Sequence, residues 1–182
     1  MRVMGIDNGV GGGIVVVDEE VVICKAPMPV IKLKKRSVYD MDVIVAMIRS
    51  AAPVHVFIEK AQSMPKQGVT GVFHYGEGFG IVQGIVAALE IPMTLVTPQA
   101  WQKVMFEGLS KDEDTKTLGL IVCKRLYPKE NWAATERSKK FHNGMTDACC
   151  LATYGLRKLK GELYGVQKAK VFSEVFNGAL SI

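Results

Sequence analysis

The opening of the chain restricts its fold more than any other feature. Met1 to Asp7 reads as a strand, Gly11-Gly12-Gly13 as a turn, and Ile14 to Val17 as a second apolar run. Asp18-Glu19-Glu20 is another turn, and Val21 to Cys24 begins a third run. Connections this short leave no room for a crossover helix, so consecutive runs must reverse direction. The pattern predicts an antiparallel meander of three strands.

After the meander the pattern alternates. A polar, basic stretch, Lys32 to Arg36, is followed by Asp40, which is placed to cap a helix running to about Ala51. Val43, Ile44, Met47 and Ile48 share one face of that helix, and Pro53 ends it. Val54 to Ile58 is a fourth strand, closed by Glu59. A loop, Ala61 to Thr70, leads into a long helix ending near Leu89. Gly76, Gly78, Gly80 and Gly84 argue against that helix, since each costs roughly 1 kcal/mol in a helix interior. They also permit the close approach of a neighbour or of nucleic acid. Met93 to Val96 is a fifth strand, and Thr97-Pro98 reads as an N-cap with Pro at the first helical position. A further helix starts near Asp114-Thr115 and stops before Pro128, and Lys129 to Phe141 is a polar, basic loop. The last strong helix runs from Met145 to about Lys160. Strands followed by alternating units predict the α/β class: a mixed five-stranded sheet flanked by helices. Residues 1–160 make one domain, and residues 161–182 a tail whose apolar stretch, Val171 to Phe176, is a short helix or partner arm.

Composition adds bounds rather than a function. At 182 residues the chain suits one domain with a proper core, and 48% hydrophobic with 23% charged residues is ordinary globular usage. The net charge of +5 and pI of about 9.0 permit a polyanionic partner without requiring one. The chain opens without a charged leader, and no apolar run is long enough to span a bilayer, so no membrane partner is expected. Cys24, Cys123, Cys149 and Cys150 form no C-x-x-C pair and lie in apolar stretches. They read as reduced core thiols of a cytosolic-type compartment rather than as disulfides or zinc ligands. The compact, leaderless opening fits the cytoplasm of a bacterial or phage-infected cell, and a mature organellar protein would look similar.

Three acids stand where chemistry is expected. Asp7 and Glu59 end apolar strands, and Asp147 opens the last helix. Strand ends collect at one edge of an α/β sheet, where sites usually lie. Three carboxylates gathered there repel one another unless cations sit between them, and hard oxygen ligands suit Mg²⁺ or Mn²⁺. Two such ions about 4 Å apart activate a water and stabilise a leaving oxygen in phosphodiester hydrolysis. The competing reading is that each acid is a solvated turn residue.

The motifs around these acids narrow the choice. Gly5-Ile6-Asp7-Asn8-Gly9 with Gly12-Gly13 resembles the opening strand and turn of RuvC-like Holliday junction resolvases. Val56-Phe57-Ile58-Glu59-Lys60 resembles their second acidic strand. It continues through Ala61 to Val69, Phe73, Tyr75-Gly76 and Gly80 in a run similar to bacteriophage-type members and to the chloroplast resolvases. Val96 to Trp101 resembles the segment that follows, and His142 to Ala148 with Leu151-Ala152 resembles the closing acidic helix. The likeness runs in order from about residue 3 to 157. It implies an RNase H-like fold and junction-resolving endonuclease activity on four-way, branched DNA.

Carried over by position, the resemblance makes Asp7, Glu59 and Asp147 the catalytic, metal-binding acids. The cofactor it implies is Mg²⁺, with Mn²⁺ substituting, as two ions per site. Asn143 departs from the pattern, since phage-type relatives tend to have Asp there. An amide oxygen can bind Mg²⁺ but brings no charge. Asn143 or His142 is expected to complete the shell, and the alternative for His142 is a loop or cap residue. Lys60, Lys66, Gln67, Lys116, Lys139 and Lys140 are candidates for phosphate contact, the alternative being ordinary surface groups. Lys66 and Gln67 stand out because their loop follows Glu59. Phe73, His74, Tyr75 and Phe79 read as core, or as a wedge into an opened junction.

A junction presents two strands related by a two-fold axis, so a homodimer is expected, with the helix Gly71 to Leu89 as its interface. Three rival readings remain open. An actin- or sugar-kinase-like ATPase shares the Gly-Ile-Asp-x-Gly opening but needs a second, duplicated domain. A non-catalytic binder of branched DNA is favoured by Asn143. A ribonuclease H acting on RNA–DNA hybrids shares the fold.

Overall fold

The computed structural model describes residues 1–19, 21–61, 68–110 and 112–163. β1 (Arg2–Asp7), β2 (Gly13–Asp18) and β3 (Val21–Pro27) form the expected meander, with Ile6 opposite Ile14 and Val15 opposite Lys25. β6 (His55–Glu59) lies parallel to β1, and β7 (Met93–Val96) parallel to β6. The sheet order is β3-β2-β1-β6-β7, so β1 is central. Both parallel steps need a crossover. The first is made through α1 (Met41–Ala51), the second through α2 (Val69–Ala88).

Because the sheet is covered on both faces, β1 alternates between two cores while remaining apolar throughout. Val3 packs with Val15, Val17 and Phe57 against α3 (Pro98–Met105), α4 (Thr115–Leu126) and α5 (Asn143–Leu159). Met4 and Ile6 pack with Ile14, Val16, Val56 and Ile58 against α1 and α2. Cys123, Cys149 and Cys150 are buried in the first of these cores, and all four cysteines are free.

α5 lies unusually close to the sheet. A Cβ built on Gly5 falls 2.1 Å from the Ala148 carbonyl oxygen, and one on Gly144 falls 2.3 Å from Gly12. Only glycine fits at these crossings. On the far side, a Cβ at Gly155 meets the Phe57 ring at 2.2 Å. The glycines of the opening motif thus set the depth at which α5 sits.

Several local expectations hold, with adjusted ends. Asp40 caps α1 through Oδ1, which accepts from the Val43 N–H, and Asp114 caps α4. α5 begins at Asn143, two residues earlier than expected. Thr97 occupies the N-cap position of α3, but its side chain makes no capping bond. The glycines of α2 do not prevent the helix, because Gly78 is packed on the Tyr39 ring and Val82 and Val86 anchor the core side. The basic stretch 32–36 is the tip of a hairpin, β4 (Val30–Lys32) and β5 (Ser37–Tyr39), that the sequence pattern does not reveal. The strands are three residues each, too short for alternation to register. Among the described residues no helix is long and apolar enough to cross a membrane. The tail from residue 164 onward lies outside the described residues.

Candidate active site

Strand parity brings the acids together. Along β1, Val3, Gly5 and Asp7 face α5, and along β6, Phe57 and Glu59 share that face. β1 and β6 are parallel neighbours with Ile6 beside Ile58, so Asp7 and Glu59 leave the sheet at the same edge and on the same side. Asp147 is in the first turns of α5, which crosses β1 at Gly5 and the start of β2 at Gly13. The Gly13 position is so tight that an added Cβ would lie 2.7 Å from the Gly144 carbonyl oxygen.

The three carboxylates feel one another. Burial holds the Asp7 proton affinity well above the ordinary carboxylate range, and the charges of Glu59 and Asp147 raise it further. Asp147 is pushed up to about 7, first by burial and then by Glu59, against a lowering by Lys116. Glu59 is raised by burial and lowered by a hydrogen bond from Trp101, whose Nε1 donates to Oε2 at 2.9 Å. α4 gives Asp147 room: a Cβ at Gly119 would lie 3.2 Å from its Oδ1.

The donor set is hard oxygen, and its mutual repulsion is the kind a divalent cation relieves. Among the described residues no three His, Cys, Asp or Glu side chains stand close enough to hold one ion between them. The fit to Mg²⁺ or Mn²⁺ rests on donor type alone: both take carboxylate oxygens, with water and phosphate oxygens completing the shell.

The other expected residues are placed unevenly. His142 is the N-cap of α5, its Nδ1 accepting from the Met145 N–H at 3.3 Å. In a neutral ring this puts the proton on Nε2, leaving no lone pair for a cation while the cap holds. Burial lowers the His142 proton affinity and favours that neutral form. Asn143 opens α5, and its carbonyl accepts from Thr146 Oγ1 at 2.8 Å. Lys116 is exposed in the first turn of α4 and near enough to act on Asp147. Lys60 directly follows Glu59 and is exposed, as are Lys139 and Lys140 in the loop before α5. Lys66 and Gln67 lie outside the described residues.

Sequence reasoning missed the supports behind the acids. Asn8 is 4% exposed, and its Oδ1 accepts from the Tyr39 hydroxyl at 3.1 Å. That hydroxyl in turn accepts from the Gly9 N–H at 2.9 Å, pinning the turn after Asp7. Gly9 has φ +133°, a conformation that requires glycine. The glycine at position 9 was a readable signal of a special turn; the distant tyrosine was not.

No protein-family model and no curated protein matches the chain. Solved structures do share its fold. The structure of Thermus thermophilus RuvC in complex with Holliday junction substrate matches with a TM-score of 0.60 at 14% identity, covering 88% of this chain and 97% of that one. A second Thermus thermophilus RuvC structure matches at 0.58 and 17% identity, covering 88% and 97%. The yeast mitochondrial Holliday junction resolvase Ydc2 matches at 0.52 and 12% identity, covering 94% and 84%. The mixed five-stranded α/β fold expected from the motifs is therefore the fold of the molecule, shared with these RuvC and Ydc2 structures.

Proposed function

We propose that this protein is a divalent-cation-dependent endonuclease that resolves four-way DNA junctions with paired, symmetric nicks. The observation carrying the reading is the gathering of Asp7, Glu59 and Asp147, from β1, β6 and α5, at one sheet edge with raised proton affinities. Buried carboxylates that disfavour their own ionisation are built for a cation to neutralise. The shared fold with structures of resolvases, one of them holding a Holliday junction, supports the substrate class.

In this reading Asp7, Glu59 and Asp147 hold Mg²⁺ or Mn²⁺, with Asn143 as a neutral oxygen donor beside them. Such ions supply charge neutralisation at the phosphate and a more acidic water. Trp101 fixes the Glu59 carboxylate through its indole N–H. Lys116 offers a positive charge next to Asp147, where a phosphate would bring a negative one. Water attacks phosphorus in line, the 3′ oxygen leaves, and the product carries a 5′-phosphate. Lys60, Lys139 and Lys140 are assigned to the DNA backbone.

Two symmetric nicks call for two sites, and we assign a homodimer through the outer face of α2. Phe73 is 67% exposed there, and Cβ positions at Gly76, Gly80 and Gly84 meet nothing within 4 Å among the described residues. These glycines recur every fourth residue, so they share one side of the helix.

The test is cleavage of a synthetic four-way junction beside linear duplex and RNA–DNA hybrid, with Mg²⁺, Mn²⁺ or chelator, in wild type and Asp7→Asn. Paired nicks on the junction alone, lost with chelator and in Asp7→Asn, are the expected result. Cleavage confined to the hybrid would move the assignment to ribonuclease H. A second reading, a binder that does not cut, is favoured by the uncharged Asn143; it predicts tight junction binding and no nicks in either metal.

A further inference from the structure

We propose that the cavity between the β4–β5 hairpin and the first half of α2 is a nucleobase site, receiving one unpaired base of the DNA strand that lies across the three carboxylates. The proposal rests on the nuclease reading for its substrate, but not for its geometry.

The cavity encloses about 550 Å³, within the roughly 300–1,000 Å³ of small-molecule sites. Its position ties it to the candidate centre. Gly9 in its wall is two residues from Asp7, and Tyr75 lies close enough to Glu59 and Asp7 to feel both charges. Its lining suits a flat aromatic guest. Tyr75, partly exposed, brings an aromatic ring, and Val10, Met41 and Ile81 supply apolar walls, with the buried Tyr39 behind them. Stacking of a base on such a ring contributes about 1–3 kcal/mol.

The rim carries both polarities. Arg36 Nη1 lies 2.7 Å from His74 Nδ1 and 3.3 Å from Glu77 Oε2. An exposed guanidinium beside a carboxylate offers donors and an acceptor together, the combination that the polar edge of a base requires. The flank is cationic. Lys32, Lys34, Lys35 and Arg36 lie within five residues of the hairpin, all exposed, with no acid among them. A base entering the cavity brings its phosphates to that flank. A purely apolar guest would leave both the rim and the flank without a role.

Gly71 allows a clean test. It lines the cavity in the first turn of α2, and an added Cβ there meets nothing within 4 Å among the described residues. Gly71→Phe adds a ring at the cavity wall, and circular dichroism against wild type checks that the fold is kept. 2-Aminopurine is placed in turn at each position flanking the exchange point of a four-way junction, and the full-length protein is added with Ca²⁺. At one position the fluorescence of the unstacked base should rise about threefold with wild type and stay near baseline with Gly71→Phe, each at a protein concentration that saturates the junction. In parallel, saturation-transfer NMR with deoxynucleoside monophosphates should show transfer to the base protons in wild type and none in Gly71→Phe.

The outcomes separate the two readings. If the protein neither binds nor cuts junctions, the nuclease reading fails; saturation transfer to base protons that Gly71→Phe abolishes would still uphold the cavity as a nucleobase site. If it cuts junctions with no fluorescence rise at any position and no saturation transfer, the nucleobase site is overturned and the nuclease stands. If Gly71→Phe turns a dimer into a monomer in sedimentation while leaving the fluorescence response intact, the cavity is covered by a second copy and the proposal is overturned.

Discussion

The indole of Trp101, in the first turn of α3, donates a 2.9 Å hydrogen bond to Glu59 at the end of β6. Trp101 is 1% exposed, so this bond reaches from the core to the candidate centre. It lowers the proton affinity of a carboxylate that burial raises. Trp101→Phe keeps most of the packing and removes the donor. The acid limb of the cleavage pH–rate profile should then move to higher pH, because Glu59 loses the bond that favours its charged form. Hydrogen bonds to charged groups contribute about 1.5–3 kcal/mol, so denaturant unfolding should also show a loss of that order. An unchanged pH profile would remove Trp101 from any positioning role.

Asp147 gives the cation-free protein a pH-dependent stability. Its proton affinity is raised in the folded state, to about 7 from an ordinary 3.8. Between those values the folded form binds more protons than the unfolded form, so stability falls as pH rises from about 4 through 7. One pKa unit corresponds to about 1.4 kcal/mol, so the loss amounts to a few kcal/mol. Melting with chelator should show a lower Tm at pH ~8 than at pH ~5.5. Mg²⁺ at the higher pH should restore it, and Asp147→Asn should flatten the dependence. A Tm that rises with pH in chelator would contradict the burial and repulsion described for these acids.

Asn143→Asp adds a charge beside Asp147 and at the N-terminus of α5, where the helix dipole favours it by about 0.3–1 kcal/mol. The expected outcome is half-maximal cleavage at a several-fold lower Mg²⁺ concentration, read by titrating the metal at fixed junction. If the midpoint does not move, Asn143 is not a ligand.

His142→Ser separates capping from metal binding. Serine caps well through its short side chain, and the His142 ring is the present cap of α5. Cleavage within about threefold of wild type, with a preserved Tm, is expected for a cap. Loss of activity at full stability would instead make the imidazole part of the reaction.

Gly5→Ala should be severe for a packing reason alone. The new methyl group would sit 2.1 Å from the Ala148 carbonyl oxygen, on backbone that cannot move without shifting α5. Overpacking commonly costs about 1–3 kcal/mol, and contact with backbone belongs at or above the top of that range. Circular dichroism against denaturant checks it.

The order and type of the main elements were legible residue by residue. Apolar runs with turns between them specified β1, β2 and β3. Asp40 and Asp114, both capping residues, marked the starts of α1 and α4, and the acids at the ends of β1 and β6 were visible as Asp7 and Glu59. These are local facts: propensity, capping and period are written in neighbouring residues. The ordered motifs also carried the architecture, although identity to the matching structures is only 12–17%.

What remained took shape only when distant segments packed. That Asp7 and Glu59 face α5 rather than α2 depends on register and on which helix covers which face, and both are set by contacts between residues far apart in the chain. His142 became a cap because α5 starts two residues early. The bond from Trp101 to Glu59 and the Asn8–Tyr39 pair join positions 42 and 31 residues apart, and no periodicity records them. The hairpin at Val30–Tyr39 was illegible because its short strands are held by pairing with each other and by the Tyr39 ring against Gly78, contacts that exist only once the chain has folded.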